Sequence, residues 1–211
     1  MSYIFNDAIQ YKNTQQLDSF GRLRTSEVST LFDSPLKHHG ERYIWNTIET
    51  NGGTGTYSTT ETLYLLSVTS TGDKVIRQTK QYFQLQNGKS HVGFMGVVFD
   101  GSTGITQRAG VYDAENGFYI KHDGTGVSLV IRSKASGTVQ EATIPQSSWN
   151  MDVMDGNGIS GINIDFTKMQ IICFDMSYTG AGGIRFGFLV DGAIYIMPIN
   201  TVYTTPSRQT A

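Results

Sequence analysis

The 211-residue sequence predicts an all-β protein: a single antiparallel sandwich, jelly-roll-like, carried on an extended N-terminal arm. Three observations predict it. From residue 41 onward, short β-branched and aromatic runs alternate with turn signals. The turn signals are Asn51-Gly52, Asn87-Gly88, Asp100-Gly101, Asn116-Gly117, Asp123-Gly124, Asp155-Gly156 and Asp191-Gly192, dipeptides that readily take the positive φ of tight turns. The composition, with 24 glycines, 11% aromatic and 16% charged residues, opposes both disorder and a coiled coil.

The elements follow in chain order. Across residues 1–40, Ile4, Phe5, Tyr11, Leu17, Phe20, Leu23, Leu31, Phe32 and Leu36 together keep neither a helical nor a strand period. Such a segment is too long for an ordinary loop and too apolar to stay in water. It reads as an arm that rests on its own domain or on a neighbour, with a reach on the order of 130 Å if fully extended. Strands are expected near 43–50, 57–69, 74–85, 92–100, 105–112, 118–122, 127–133, 138–144, 169–178, 183–190 and 193–198. Alternation supports half-buried strands: Val127, Leu129 and Ile131 share one face, as do Ile184, Phe186, Phe188 and Val190. A short helical turn fits Pro145–Trp149, since proline suits a first turn. No repeat of 20–50 residues is visible. Nothing resembles a linker within 41–200, so that stretch reads as one domain, followed by a short extended tail, 201–211.

Composition narrows the function classes. A net charge of −2 with no Lys/Arg cluster lacks the basic field that displaces counterions from phosphates, so no nucleic-acid partner is expected. The longest apolar run, around 169–174, falls far short of the ~20 residues a spanning helix needs. The first seven residues have neither a basic start nor an apolar block, so they do not read as a secretory signal. The one cysteine, Cys173, cannot pair within the chain and reads as a small buried strand residue, consistent with synthesis in a reducing cytoplasm.

The chemistry-bearing residues have bland readings. Asp113 and Glu115, and Asp152 and Asp155, are near pairs, but both pairs fall in expected loops where acidic side chains bond to nearby amides. Glu61 has no near partner, and the Glu-x-Asp-x-x-Glu pattern of sandwich glucanases is absent. His38, His39, His91 and His122 show no zinc spacing. The Asp152–Gly158 loop offers oxygens without the order of a calcium loop. Ser160 lies between glycines with no histidine nearby. Glycine-rich 51–55 and 180–183 precede no amphipathic helix and so lack a phosphate cradle. The chain is expected to be no enzyme and to use no cofactor or metal.

Binding is the more informative class. In Asp18-Ser19-Phe20-Gly21-Arg22-Leu23-Arg24-Thr25-Ser26, arginine forks that suit carboxylates interleave with apolar anchors. The candidate partner-binding residues are Phe20, Arg22, Leu23, Arg24, Leu31 and Phe32. An alternative is a lectin-like carbohydrate-binding module for host attachment, using Tyr112, Tyr119, Trp149 and Tyr178, although sandwich aromatics mostly belong to the core.

Phe20-Gly21-Arg22-Leu23-Arg24-Thr25-Ser26-Glu27 followed by Thr30-Leu31-Phe32-Asp33-Ser34 resembles a family of virion structural proteins of tailed bacteriophages. The similarity continues through Arg77–Phe83, Asn87-Gly88-Lys89-Ser90, Asn116-Gly117-Phe118, Arg132-Ser133, Trp149-Asn150-Met151-Asp152, Asp155-Gly156, Ser160-Gly161 and Ile184–Phe188, so it spans most of the chain. It implies a place in a virion, made in the host cytoplasm, and brings no catalytic residue. The expected role is a homo-oligomer, with a trimer as the working stoichiometry, joined to other virion proteins through the arm. Head decoration or fibre attachment is preferred over a neck or tail component.

Overall fold

The computed structural model describes residues 29–83, 90–177 and 183–198. The chain divides into two compact units, 1–83 and 84–211. This boundary differs from the division at residue 40 expected from the sequence. The reason is pairing. Among the described residues, every strand before residue 83 pairs within the first unit and every later strand within the second.

In the N-terminal unit, β1 (Trp45–Thr50) pairs antiparallel with β4 (Lys74–Thr79), Trp45 opposite Thr79 and Thr50 opposite Lys74. Between them in sequence lies a hairpin of β2 (Thr54–Ser58) and β3 (Leu63–Ser67), with Ser58 opposite Leu63. Asn51-Gly52 turns the chain out of β1. Asn51 takes φ 57° and the Gly53 N–H donates to Thr50 O at 3.1 Å. Asp73 clamps this corner by accepting from the amides of Gly52, Thr69 and Ser70. Those amides, Thr69's foremost, hold the Asp73 carboxyl below the usual range.

Two sequence expectations change here. Residues 57–69 are two strands, because 59–62 form a turn with Thr62 at φ 53°. No glycine or asparagine marks that turn, and the Ser58 hydroxyl accepts the Glu61 amide instead. The strand expected from residue 43 begins at Trp45, since the amides of Ile44 and Trp45 both donate to Glu41 O at 3.1 Å in a preceding turn.

The C-terminal unit is the antiparallel sandwich. One sheet contains β5 (Ser90–Val97), β10 (Gln170–Ser177), β11 (Ile184–Val190) and β12 (Ala193–Pro198), in the order β12-β11-β10-β5. The other is a meander of β6 (Gln107–Tyr112), β7 (Gly117–His122), β8 (Val127–Ser133) and β9 (Gln140–Pro145), in the order β6-β7-β8-β9. The core between them takes Phe118, Ile120, Leu129 and Ile131 from the meander and Ile172, Phe186, Phe188 and Met197 from the first sheet. Edge-to-face ring contacts cross it, Phe118 to Phe186 at 5.3 Å between centroids. Phe99, Trp149, Met154, Ile164 and Phe166 add to the same core from outside the strands. The two alternating faces read from the sequence are the two that point inward. A 3-10 turn, Gln146–Ser148, follows β9 with Pro145 as its N-cap. At Asp191-Gly192, φ angles of 51° and 80° join β11 to β12 by a two-residue turn.

Candidate assembly surfaces

Residues 29–40 bear directly on the expected arm. Burial alternates residue by residue from Leu31 to Leu36, where the backbone takes φ 51° and then bends through 37–39. Phe32 points inward and meets Trp45 edge-on at 5.4 Å and Phe83 at 5.5 Å. The Trp45 indole N–H donates to the Ser34 hydroxyl at 2.7 Å, which in turn bonds to Glu41. The Tyr57 hydroxyl donates to Leu36 O, and Arg77 donates to Gly40 O at 2.8 Å. This stretch is therefore bound to its own unit. Leu31 faces the other way and is 52% exposed. The remaining candidate partner residues, Phe20, Arg22, Leu23 and Arg24, lie outside the described residues.

The N-terminal unit is thin. Among its described residues, no large apolar side chain reaches the buried class, while Leu31, Tyr43, Ile44, Ile48, Leu65, Leu66 and Tyr82 are exposed. Within it, the Arg77 guanidinium stacks 3.5 Å from the Tyr64 ring centroid and 4.8 Å from that of Trp45. Burial lowers the pKa of Arg77 although Tyr64 and Glu41 oppose the shift. Arg77 also lines a shallow cleft of ≈ 630 Å³ with Tyr43, Lys80 and Arg42. The cations there already serve the fold, since the Lys80 ammonium donates to Arg42 O at 2.8 Å.

In the sandwich, the two outer faces differ in chemistry. Tyr119, Arg132 and Glu141 project from the outside of the meander and satisfy one another. The Tyr119 hydroxyl donates to Glu141 Oε1 at 2.8 Å, and Arg132 donates to the same oxygen at 2.6 Å and 2.8 Å. Burial raises the Glu141 carboxyl, but the bonds from Tyr119 and Arg132 outweigh it and the net shift is downward. Arg108 and Arg132 both lie 5.4 Å from the Tyr119 ring centroid, and Tyr119 is fully buried.

The outer face of the other sheet carries an apolar patch on its β5 side, bordered by Asp175 opposite Val92 and by Arg185 opposite Asp175. Val92 and Phe94 of β5 point outward, and Ile171 and Cys173 do so from β10. Val98 and Met169 extend the patch, the Met169 sulfur lying 3.3 Å from where a Cβ on Gly96 would sit. Phe94 is 52% exposed and Met169 56%. Cys173 is buried on this face, and desolvation together with Asp175 pushes its thiol up to about 11. It is a packed strand residue.

The carboxylates weighed for catalysis are engaged in turns. Asp113 Oδ1 accepts the amides of Glu115 and Asn116, and Asp155 accepts that of Asn157. Glu115 pairs with Lys134. Asp152, 8% exposed, accepts the Met154 amide at 2.9 Å and the Ser160 amide at 2.7 Å. His122 accepts the Gly124 amide and His39 the Glu41 amide. Among the described residues no group of three or more His, Cys, Asp or Glu is placed to hold a metal ion. Of the aromatics weighed for a carbohydrate platform, Trp149 and Tyr119 are buried, Tyr112 packs on Tyr119 at 4.6 Å, and Tyr178 lies outside the described residues. Sequence reasoning did not find the apolar patch on this face, because its members belong to strands whose partners are distant in the chain.

No family model, curated protein or solved structure matches this chain.

Proposed function

We propose that this chain is a non-enzymatic structural component of a tailed-phage virion, joined to neighbouring subunits by its N-terminal segment. The observation that carries the assembly part is the N-terminal unit itself. Its described residues bury no large apolar side chain fully, yet they expose Leu31, Ile44, Ile48, Leu65 and Leu66. Isolated two-stranded sheets are marginal in water, so such a unit gains most by burying that surface against a partner. The virion assignment rests on the resemblance carried by Phe20–Glu27 and Leu31–Ser34. A homo-oligomer, head decoration or fibre attachment, and synthesis in the host cytoplasm belong to the same proposal.

The test is a truncation lacking residues 1–28, which leaves 29–40 on the unit they stabilise. Particles assembled with this chain should lack it by mass spectrometry, although the truncated chain folds. Incorporation equal to that of the full chain would refute arm-borne attachment.

A further inference from the structure

The four edges of the sandwich are not alike. Edge strands invite pairing with foreign strands unless charge, proline or cover protects them. Strand β6 carries Arg108, β9 carries Glu141 and ends at Pro145, and β12 ends at Pro198. Strand β5, Ser90-His91-Val92-Gly93-Phe94-Met95-Gly96-Val97, has no Lys, Arg, Asp, Glu or Pro. It pairs only with β10 among the described residues, and its outward Val92 and Phe94 belong to the apolar patch.

The size of the patch selects the occupant. Val92, Phe94, Val98, Met169 and Ile171 together expose on the order of 400 Å². A stable globular interface takes about 800 Å² from each partner, so the patch is too small for one. It suits a single extended segment that adds backbone hydrogen bonds along the edge. Two ends of the chain lie outside the described residues. The C-terminal one, 199–211, offers Ile199, Val202 and Tyr203 and is interrupted by Pro206. The N-terminal one holds a better match. In residues 3–11, Tyr3, Phe5, Ile9 and Tyr11 fall on one side of an extended chain, broken only by Asp7. Nine residues span about 30 Å, against about 26 Å for the eight of β5. Residues 12–28 then supply a tether on the order of 55 Å long when extended.

We infer that residues 3–11 of one copy add as a fifth strand to the β5 edge of a second copy, covering Val92 and Phe94. This rests on the proposed arm-borne assembly and names its acceptor. The test uses full-length chains. One preparation carries Phe5→Cys and another Val92→Cys, with the buried Cys173 left in place. The two are mixed and treated with a short bismaleimide. A covalent heterodimer is expected, with its yield cut at least about tenfold when the Val92→Cys chain also carries Phe94→Lys. Phe94 is half exposed, so an unchanged unfolding midpoint verifies that the variant folds. A chain carrying both Phe5→Cys and Val92→Cys that links only within itself at low concentration would overturn docking between copies. Loss of oligomers on deleting residues 2–11, with no heterodimer and no effect of Phe94→Lys, would leave arm-borne assembly standing and overturn this acceptor. Assembly unaffected by removal of residues 1–28 would overturn both.

Discussion

Asp152 is the most exposed to test of the polar groups inside the sandwich unit. Met154 is fully buried and sits at φ 51°, a left-handed conformation that costs a non-glycine residue about 1–2 kcal/mol. It is held there by its own amide on Asp152 Oδ1, while Asp152 Oδ2 receives Ser160 across the loop. Asp152→Ala leaves one fully buried and one half-buried donor without an acceptor. A buried orphan costs about 1–3 kcal/mol and the half-buried one less, so a loss of roughly 2–4 kcal/mol is expected. Asp152→Asn keeps the oxygen facing Met154 but can set an NH₂ against the Ser160 amide, for roughly 1–2 kcal/mol. Gly158→Ala should resemble the alanine variant, because a Cβ there would lie 2.0 Å from Asp152 Oδ1. The assay is urea unfolding, with hydrogen exchange over residues 152–162. Burial raises the Asp152 carboxyl, but the Ser160 and Met154 bonds prevail and hold it below its usual value. Its contribution is therefore full above the unfolded pKa and is lost as pH falls through the folded one. Asp152→Asn should flatten that acid limb. If Ala and Asn variants unfold within about 0.5 kcal/mol of the parent, or the acid limb is unchanged in the Asn variant, the account of this loop is wrong.

Three further outcomes are expected. Leu31 and Phe32 should part company: Phe32→Ala should cost the N-terminal unit roughly 2 kcal/mol by opening its contact with Trp45 and Phe83, whereas Leu31→Asp should leave its thermal midpoint unchanged. Arg77→Lys keeps the charge but loses the flat stack on Tyr64 and the fixed bond to Gly40 O, and should lower the same midpoint by an amount equivalent to about 1 kcal/mol. Cys173, buried and held protonated up to about 11, should resist maleimide at pH 8 in the native protein and react at once in denaturant, followed by mass spectrometry.

The legible part of the fold was local. Asp191-Gly192 announced a two-residue turn, and the alternation of Ile184, Phe186, Phe188 and Val190 announced which side faces the core; both depend only on neighbours in sequence. The turn at 59–62 escaped because its left-handed residue is Thr62, a β-branched type that more often signals strand. Pairing between strands distant in the chain was not legible. β1 passes over the β2–β3 hairpin to reach β4, and β5 waits for β10 across an entire meander. That is why the division after residue 83 escaped the sequence, and why the apolar row of Val92, Phe94 and Ile171 became visible only once β5 and β10 lay side by side. Of the candidate partner residues, the alternation of Leu31 and Phe32 could have separated an outward side chain from an anchored one. Phe20, Arg22, Leu23 and Arg24 lie outside the described residues.

An arm on an edge is a contact between two different surfaces, so donor and acceptor can be disabled separately. Such heterologous contacts close into a ring when the rotation permits and otherwise run on as a chain, and each copy gives one arm and takes one. A chain lacking residues 2–11 would still present β5 but give nothing. A Phe94→Lys chain would give its arm but take none. Each alone should stay monomeric. Mixed, they should form a one-to-one heterodimer and stop there, since the acceptor-only copy has no arm left to pass on. Native mass spectrometry of the mixture reads this directly. Larger assemblies from the mixture, or oligomers of either variant alone, would mean that the apolar surface of the N-terminal unit joins the copies instead, and would return the edge of β5 to an unexplained gap in the protection given to the other three.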